Sequence, residues 1–283
     1  MVEQTSNGNK NVITYLFFTF TFSSVFYFLI ISNGHLNGGH GLYVLGLMWC
    51  PALAAILTSF LRGIRISEMG WKPKPVKYLA ISYFLPIAYT FITYIVIWLT
   101  KSGGFYNKDF VEGIGMQTGY PGLPAGIAIT LYVLITGTIG MAGSVFSALG
   151  EEIGWRGFLV PQFAKNHSFT ITSVTAGIIW SIWHYPILLF ADYNNGAPAW
   201  FSLTCFTVLV ISISFAFTWL RLKSGTLWTG VLLHASHNLF IQAIFTPLTF
   251  DTGNTKYFID EFGIGLPIAA IIVAIIFWKR RRE

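Results

Sequence analysis

The stretch from Leu123 to Phe163, LPAGIAITLYVLITGTIGMAGSVFSALGEEIGWRGFLVPQF, runs for 41 residues with three charges, Glu151, Glu152 and Arg156. As one helix at about 1.5 Å per residue it is about 60 Å long, roughly twice the hydrocarbon core of a bilayer. Two crossings within that length leave no room for a turn. The economical reading is one long or tilted helix that enters after Pro124, passes the glutamates and ends near Val160, because Pro161 lacks a backbone donor. Gly137, Gly140 and Gly143 give it a thin side for close packing. A segment this apolar belongs in lipid.

The rest of the chain agrees. Only 10% of the 283 residues are charged, 17 Lys and Arg with 11 Asp and Glu, against roughly 25% in an average soluble domain. The chain is 54% apolar and carries 26 Phe, 13 Tyr and 10 Trp, which excludes both a water-facing surface and disorder. Cys50 and Cys205 lie in apolar runs and read as small hydrophobes, not as a disulfide framework. The net charge of +6 comes from basic residues scattered in short polar gaps with no aromatic-interleaved stripe, so no nucleic-acid partner is expected. The first apolar run is too long for a signal-peptide core and no small-x-small cleavage pattern follows it. The terminal Lys279-Arg280-Arg281-Arg282-Glu283 carries no prenylation box.

Eight segments are long enough to cross: Val12 to Ser32, Gly41 to Leu61, Tyr78 to Thr100, Leu123 to Leu149, Ile171 to Ala191, Trp200 to Leu220, Gly225 to Leu248 and Gly263 to Trp278. The expected fold is an all-α integral membrane protein, one polytopic domain over residues 1–283, with lipid as its surroundings. With the N-terminus inside, 14 of the 17 basic residues fall on the inner side and Lys101, Lys108 and Lys256 on the outer. Cytoplasmic loops retain Lys and Arg, so both termini are expected in the cytoplasm. Short loops and the lack of a retention signal point to a bacterial plasma membrane. The longest polar gap, Lys101 to Gly122, reads as a loop.

An ionisable group at membrane depth costs at least about 2.5 to 3.5 kcal/mol on insertion scales, so each needs a partner or a use. The group comprises Glu151, Glu152 and Arg156 in the fourth span, His184 in the fifth, and His234, His237 and Asn238 in the seventh. With spans five and seven entering at Ile171 and Gly225, His184 lies about 20 Å and His234 about 14 Å deep. Glu152 and Arg156 are four apart with the acid first, the favourable order for an ion pair, and are read as structural support. Glu151 points about 100° away and keeps a free carboxylate suited to a general base. His234 and Asn238 face the same way one turn apart, as two donors for a developing oxyanion. His184 is left to hold the water that Glu151 deprotonates. His237, on another face, reads as a packing hydrogen bond, and His35, His40 and His167 need no special role.

Three motifs in order carry a family resemblance. Glu151-Glu152-Ile153-Gly154-Trp155-Arg156-Gly157 resembles the Glu-Glu-x-x-x-Arg motif of the CPBP family, the CAAX prenyl proteases and bacteriocin-processing proteins, also called Abi. Trp180-Ser181-Ile182-Trp183-His184 is similar to its Phe-x-x-x-His motif, with Trp in place of Phe. His234-Ala235-Ser236-His237-Asn238 is similar to its His-x-x-x-Asn motif. The resemblance covers residues 123–240. It implies an intramembrane endopeptidase of eight helices with the site inside helices 4, 5 and 7, open to the cytosol and cutting near the cytoplasmic membrane face. Glu151 with His184 would activate water and His234 with Asn238 would hold the oxyanion, with no cofactor. The family has also been described as metal-dependent, and Glu151, His184 and His234 are the three zinc ligands of that alternative. Asn238 is a poor zinc ligand and a good oxyanion donor, which favours the metal-free mechanism. The implied partner is a peptide or protein substrate, lipidated and membrane-anchored chains included. Alternatives of another class are a non-catalytic bacteriocin-immunity protein or a transporter, the latter without the paired halves such folds show.

Overall fold

The computed structural model describes residues 2–282. Met1 and Glu283, the ends of the expected domain, lie outside the described residues. The chain is mostly helix, because in an apolar medium a helix satisfies each backbone donor and acceptor within its own segment. Six helices are long and apolar enough to cross a bilayer. They are α1 (Val2–Asn33), α2 (Leu42–Arg62), α3 (Val76–Leu99), then, beyond the short α4 (Lys108–Gln117), α5 (Ala125–Ala164), α6 (Phe169–Phe190) and α7 (Ala199–Ser224). Two further helices pack among them: α8, which is continuous over residues 228–248, and α9 (Gly265–Lys279). They fall short of the other six for plain reasons, since α8 carries His234, His237, Asn238 and Gln242 and α9 has 15 residues.

Helix α1 pairs with α2 and α6 with α7, while α8 lies against α3, α5 and α7 at the centre. The outside is built from Phe28, Phe60, Leu99 and Ile139, with Phe60 82% exposed, an arrangement water would not tolerate. Inside, hydroxyls are tied to their own helices: Thr19 donates to the Tyr15 carbonyl at 2.9 Å, Thr93 to Tyr89 at 2.8 Å and Ser214 to Val210 at 2.7 Å.

The long segment is one helix, but Pro161 does not stop it. Helix α5 continues to Ala164, because a wide turn over Ile153–Leu159 has already displaced the ordinary i to i−4 ladder where the proline donor would be missed. A second wide turn spans Thr136–Gly140. The thin side also lies elsewhere than expected. Gly137 does approach Phe240, but a Cβ on Gly143 would meet nothing and one on Gly140 only its own helix. Close packing falls at Gly150 and Gly154, where a Cβ would come within 2.7 Å of the Met48 carbonyl and 2.5 Å of Pro51 on α2. The gap Lys101 to Gly122 holds α4 and a short strand, β1 (Gly104–Phe105), antiparallel to β2 (Thr249–Phe250).

Helix ends sort onto two faces. On one, Leu227 N donates to the Gly70 carbonyl at 3.0 Å, Trp219 Nε1 to Arg280 O at 3.0 Å and Trp278 Nε1 to Thr170 Oγ1 at 3.1 Å. Helix α7 ends there on Gly225, whose φ of 72° is the left-handed stop that favours glycine. On the other face Leu36 N donates to Asp192 Oδ1 at 2.7 Å, Tyr193 OH to Glu261 Oε2 at 2.7 Å and Asn107 N to Leu248 O at 2.8 Å. Apart from Arg156, which is buried within the bundle, the basic residues expected on the inner side lie toward the first face, and the second bears Lys101, Lys108 and Lys256.

Candidate active site

Glu151 and Glu152 close the regular part of α5 before the wide turn Ile153–Leu159, all seven of whose residues are buried. Such turns recur at functional sites because they redirect side chains within a helix. Glu152 is 0% exposed and its Oε1 accepts two bonds, from Arg156 Nη1 at 2.7 Å and from His234 Nδ1 at 3.1 Å. The Arg156 guanidinium lies over Phe217 at 3.6 Å and over Trp180 at 4.3 Å, so its charge is met by a carboxylate in plane and by two rings on its faces. Gly230 on α8 makes this possible: a Cβ there would stand 2.4 Å from Glu152 Oε2.

Glu151 has no cation beside it. Its Oε2 accepts from Trp180 Nε1 at 2.8 Å and from Trp155 Nε1 at 3.2 Å, and its Oε1 has no protein partner among the described residues. Trp155 follows Glu151 by four residues, the spacing that joins Glu152 to Arg156. Trp180 stands where the family motif has Phe, and its indole N–H is a donor Phe lacks. The exchange is therefore more than one aromatic for another.

The histidines are oriented by their Nδ1 atoms. His184 Nδ1 donates to the Trp180 carbonyl at 2.9 Å, and His234 Nδ1 donates to Glu152. Each neutral ring then has its unprotonated Nε2 as the remaining polar atom. His184 Nε2 can accept from water, whereas His234 Nε2 donates to an oxyanion only in the doubly protonated ring. Trp180 lies between the rings, 6.0 Å from His184 and 5.3 Å from His234 by centroids.

These groups share one cavity of about 310 Å³ lined by Glu151, His184, His234 and Asn238, which come from three helices. Its deep end is Glu151, Trp180, Phe217 and His234, and its shallow end is Leu36, Asn37, Gly41 and Tyr193. His237 also faces it. Beyond a packing bond, His237 receives the Tyr89 hydroxyl at Nδ1 and donates from Nε2 to Glu261 Oε1 at 3.3 Å, an oxygen that also accepts from Gln242 at 3.2 Å. His237 holds Glu261 below the usual carboxylate range against the effect of burial, while burial and Glu261 push its neighbour Asp260 up to about 7. Sequence reasoning did not single out Glu261 or Tyr193. His35 pairs with the exposed Asp192, away from the cavity.

As a zinc site the geometry is a poor fit. Among the described residues no three His, Cys, Asp or Glu side chains gather as a metal-ligand set, Glu151, His184 and His234 included. Trp155 and Trp180 both donate to Glu151 Oε2, which leaves Oε1 as the oxygen open to the cavity among the described residues.

Fold and site together define a polytopic helical membrane protein with a buried acid–imidazole cavity. Residues 134–240, which contain all three motifs, match the family described as type II CAAX prenyl endopeptidase Rce1-like. Over 136 residues the chain is 26% identical to CAAX prenyl protease 2 of Methanococcus maripaludis, a stretch that covers 46% of each chain. The match thus spans about half the length of that curated relative. Through this core the chain is similar to CAAX-type endopeptidases.

Proposed function

We propose that the protein is an intramembrane endopeptidase in which α1, α2, α3 and α5 to α9 form eight membrane spans. The observation that carries this reading is the convergence of Glu151, His184, His234 and Asn238 on one buried cavity, with Glu151 left out of the Glu152–Arg156 ion pair. Water held between Glu151 Oε1 and His184 Nε2 gives a proton to the carboxylate as its oxygen adds to the scissile carbonyl carbon. The negative oxygen that forms is met by Asn238 Nδ2 and a protonated His234 Nε2, one turn apart on α8. Glu151 then passes its proton to the departing amine nitrogen as the C–N bond breaks. Both Glu151 and the cavity lie within the bundle, so the substrate is a peptide segment that reaches into the membrane, lipidated or anchored chains among them.

The test compares Glu151→Gln with wild type, purified in detergent, on quenched fluorogenic peptides. Hydrolysis is expected to fall at least 1,000-fold while the thermal unfolding profile holds, and a chelator is expected to leave wild-type activity in place. Hydrolysis that survives in Glu151→Gln rejects the mechanism. If both proteins are inert and wild-type function in cells is unchanged by the substitution, the fold serves immunity or scaffolding instead.

A further inference from the structure

We infer that Glu261 is a positioning residue of the site, holding the Tyr193 ring against one face of His184 and so fixing the imidazole that orients the attacking water. This deepens the endopeptidase reading and rests on it.

The groups of the site are not held equally. Glu151, at the deep end, receives two indole N–H groups, and His234 is tied to Glu152 of the ion pair. A layer beneath this floor backs it, since Arg221 donates from Nε to the Arg156 carbonyl at 2.7 Å and from Nη2 to the Met69 carbonyl at 3.3 Å. His184 has one polar restraint, the bond from Nδ1 to the Trp180 carbonyl of its own helix, and it acts at one edge of the ring. The rest of its setting is aromatic, with Trp183 at 4.7 Å, Phe206 at 5.0 Å and Tyr193 at 6.1 Å between centroids. Trp183 and Phe206 stand on α6 and α7 and are placed by those helices. Tyr193 is not: it lies past Phe190 in the connection to α7, its ring inclined only 27° to the imidazole. No helical ladder fixes a ring there, so its own side-chain contacts must.

Glu261 supplies the polar one. It is 3% exposed, in the connection between α8 and α9. Its Oε2 accepts from the Tyr193 hydroxyl at 2.7 Å, and its Oε1 accepts from His237 Nε2 at 3.3 Å and from Gln242 Nε2 at 3.2 Å, both on α8. The Tyr89 hydroxyl of α3 braces the other side of the His237 ring. Hydrogen bonds to a charged acceptor are the strong ones, and a carboxylate this buried is tolerable only with such donors around it. Three side chains of the protein occupy its two oxygens, so Glu261 is committed to them and acts on the reaction through them. The network joins the connection that carries Tyr193 to the helix that carries His234 and Asn238. His184 and Asn238 must meet one substrate carbonyl from α6 and α8, and a misplacement of about 1 Å between such groups can cost about 100-fold in rate. Phe262 also meets the Tyr193 ring edge-on, at 5.0 Å between centroids, so loss of the hydrogen bond loosens the ring without releasing it.

The test uses the full chain in detergent with Tyr193→Phe, Glu261→Ala, Glu261→Gln and the double variant Tyr193→Phe/Glu261→Ala. Tyr193→Phe keeps the ring and removes only the hydroxyl, so it decides the matter if Glu261→Ala does not fold. On a quenched peptide, kcat is expected to fall about tenfold in Tyr193→Phe and in Glu261→Ala, with KM within about twofold and no further loss in the double variant. Glu261→Gln, whose amide can donate to a turned Tyr193 hydroxyl while its oxygen accepts from His237, is expected to keep kcat within about threefold of wild type. Modification of His184 by diethyl pyrocarbonate, followed by peptide mass spectrometry, is expected to quicken about threefold or more in Tyr193→Phe and Glu261→Ala and to stay near wild type in Glu261→Gln. Additive losses in the double variant, a loss confined to KM, or a His184 modification rate unchanged in Tyr193→Phe overturns the inference. The modification needs no turnover, so failure of the peptidase reading shows separately, as hydrolysis retained by Glu151→Gln, while the His184 rates still decide on Glu261.

Discussion

Glu152→Gln is expected to cost stability more than shape. Gln keeps an oxygen for Arg156 and His234, but the negative charge that faces the Arg156 guanidinium disappears, and Arg156 is 2% exposed with Glu152 its only carboxylate within ion-pairing distance among the described residues. Breaking one side of a buried pair typically costs about 3 to 5 kcal/mol. The rings of Phe217 and Trp180 stay over the guanidinium and still contribute, so the lower end of that range, about 3 kcal/mol, is the expectation here. That is a large part of the roughly 5 to 15 kcal/mol by which a folded chain is ordinarily stable. Arg156→Met alone should cost a similar amount, because it strands a carboxylate whose Oε2 already lacks a partner. The double variant leaves no charge unpaired and should recover most of the loss, a coupling of about 2 to 3 kcal/mol. Thermal unfolding of the four proteins in one detergent measures this directly, with scan rate held fixed. Additive single and double effects would refute the claim that the two charges are held by each other.

Two other outcomes follow from the site. Trp180→Phe removes the 2.8 Å donor to Glu151 but keeps a ring over Arg156 and His234, and a hydrogen bond to a charged group is worth about 1.5 to 3 kcal/mol. Trp155 remains, so kcat is expected to fall about tenfold with KM unchanged, the equivalent of about 1.4 kcal/mol; a change confined to KM in steady-state peptide hydrolysis would reject this role for the indole. Asp260, with its folded value pushed up to about 7 from an ordinary 3.8, binds its proton more tightly folded than unfolded. Its contribution is therefore full below pH 3.8 and is lost as pH rises to about 7. Asp260→Asn keeps an acceptor for the Glu261 amide, and its melting temperature is expected to gain on wild type between pH 5 and pH 8; a pH-independent difference would sink that account.

What the sequence made legible was local. The order and spacing of Glu152 and Arg156 predict an ion pair, and one stands at 2.7 Å. The identical spacing of Glu151 and Trp155 went unread, because an indole is easily counted as bulk when its N–H is the atom at work. The second oxygen bond of Glu152, to His234, spans 82 residues and rests on Gly230, whose missing Cβ is a fact of packing with no periodic signature. Glu261 and Tyr193 lie in connections after helices, where no periodicity reports direction, yet they meet at 2.7 Å beside the cavity. Pro161 misleads for a related reason. A proline ends an ordinary helix, but sequence alone does not reveal that the preceding turn over Ile153–Leu159 is wide.

The layer beneath the cavity floor, with Arg221 clasping the Arg156 and Met69 carbonyls, has a kinetic corollary. A polypeptide cannot thread from one face of the bundle to the other past Glu151. It must dip in and return, as a free end or a bent loop, and both halves of a severed chain have to back out the way they came. Turnover in such a blind alley is governed by how readily the fragments vacate it, and long products should clog the passage that short ones clear.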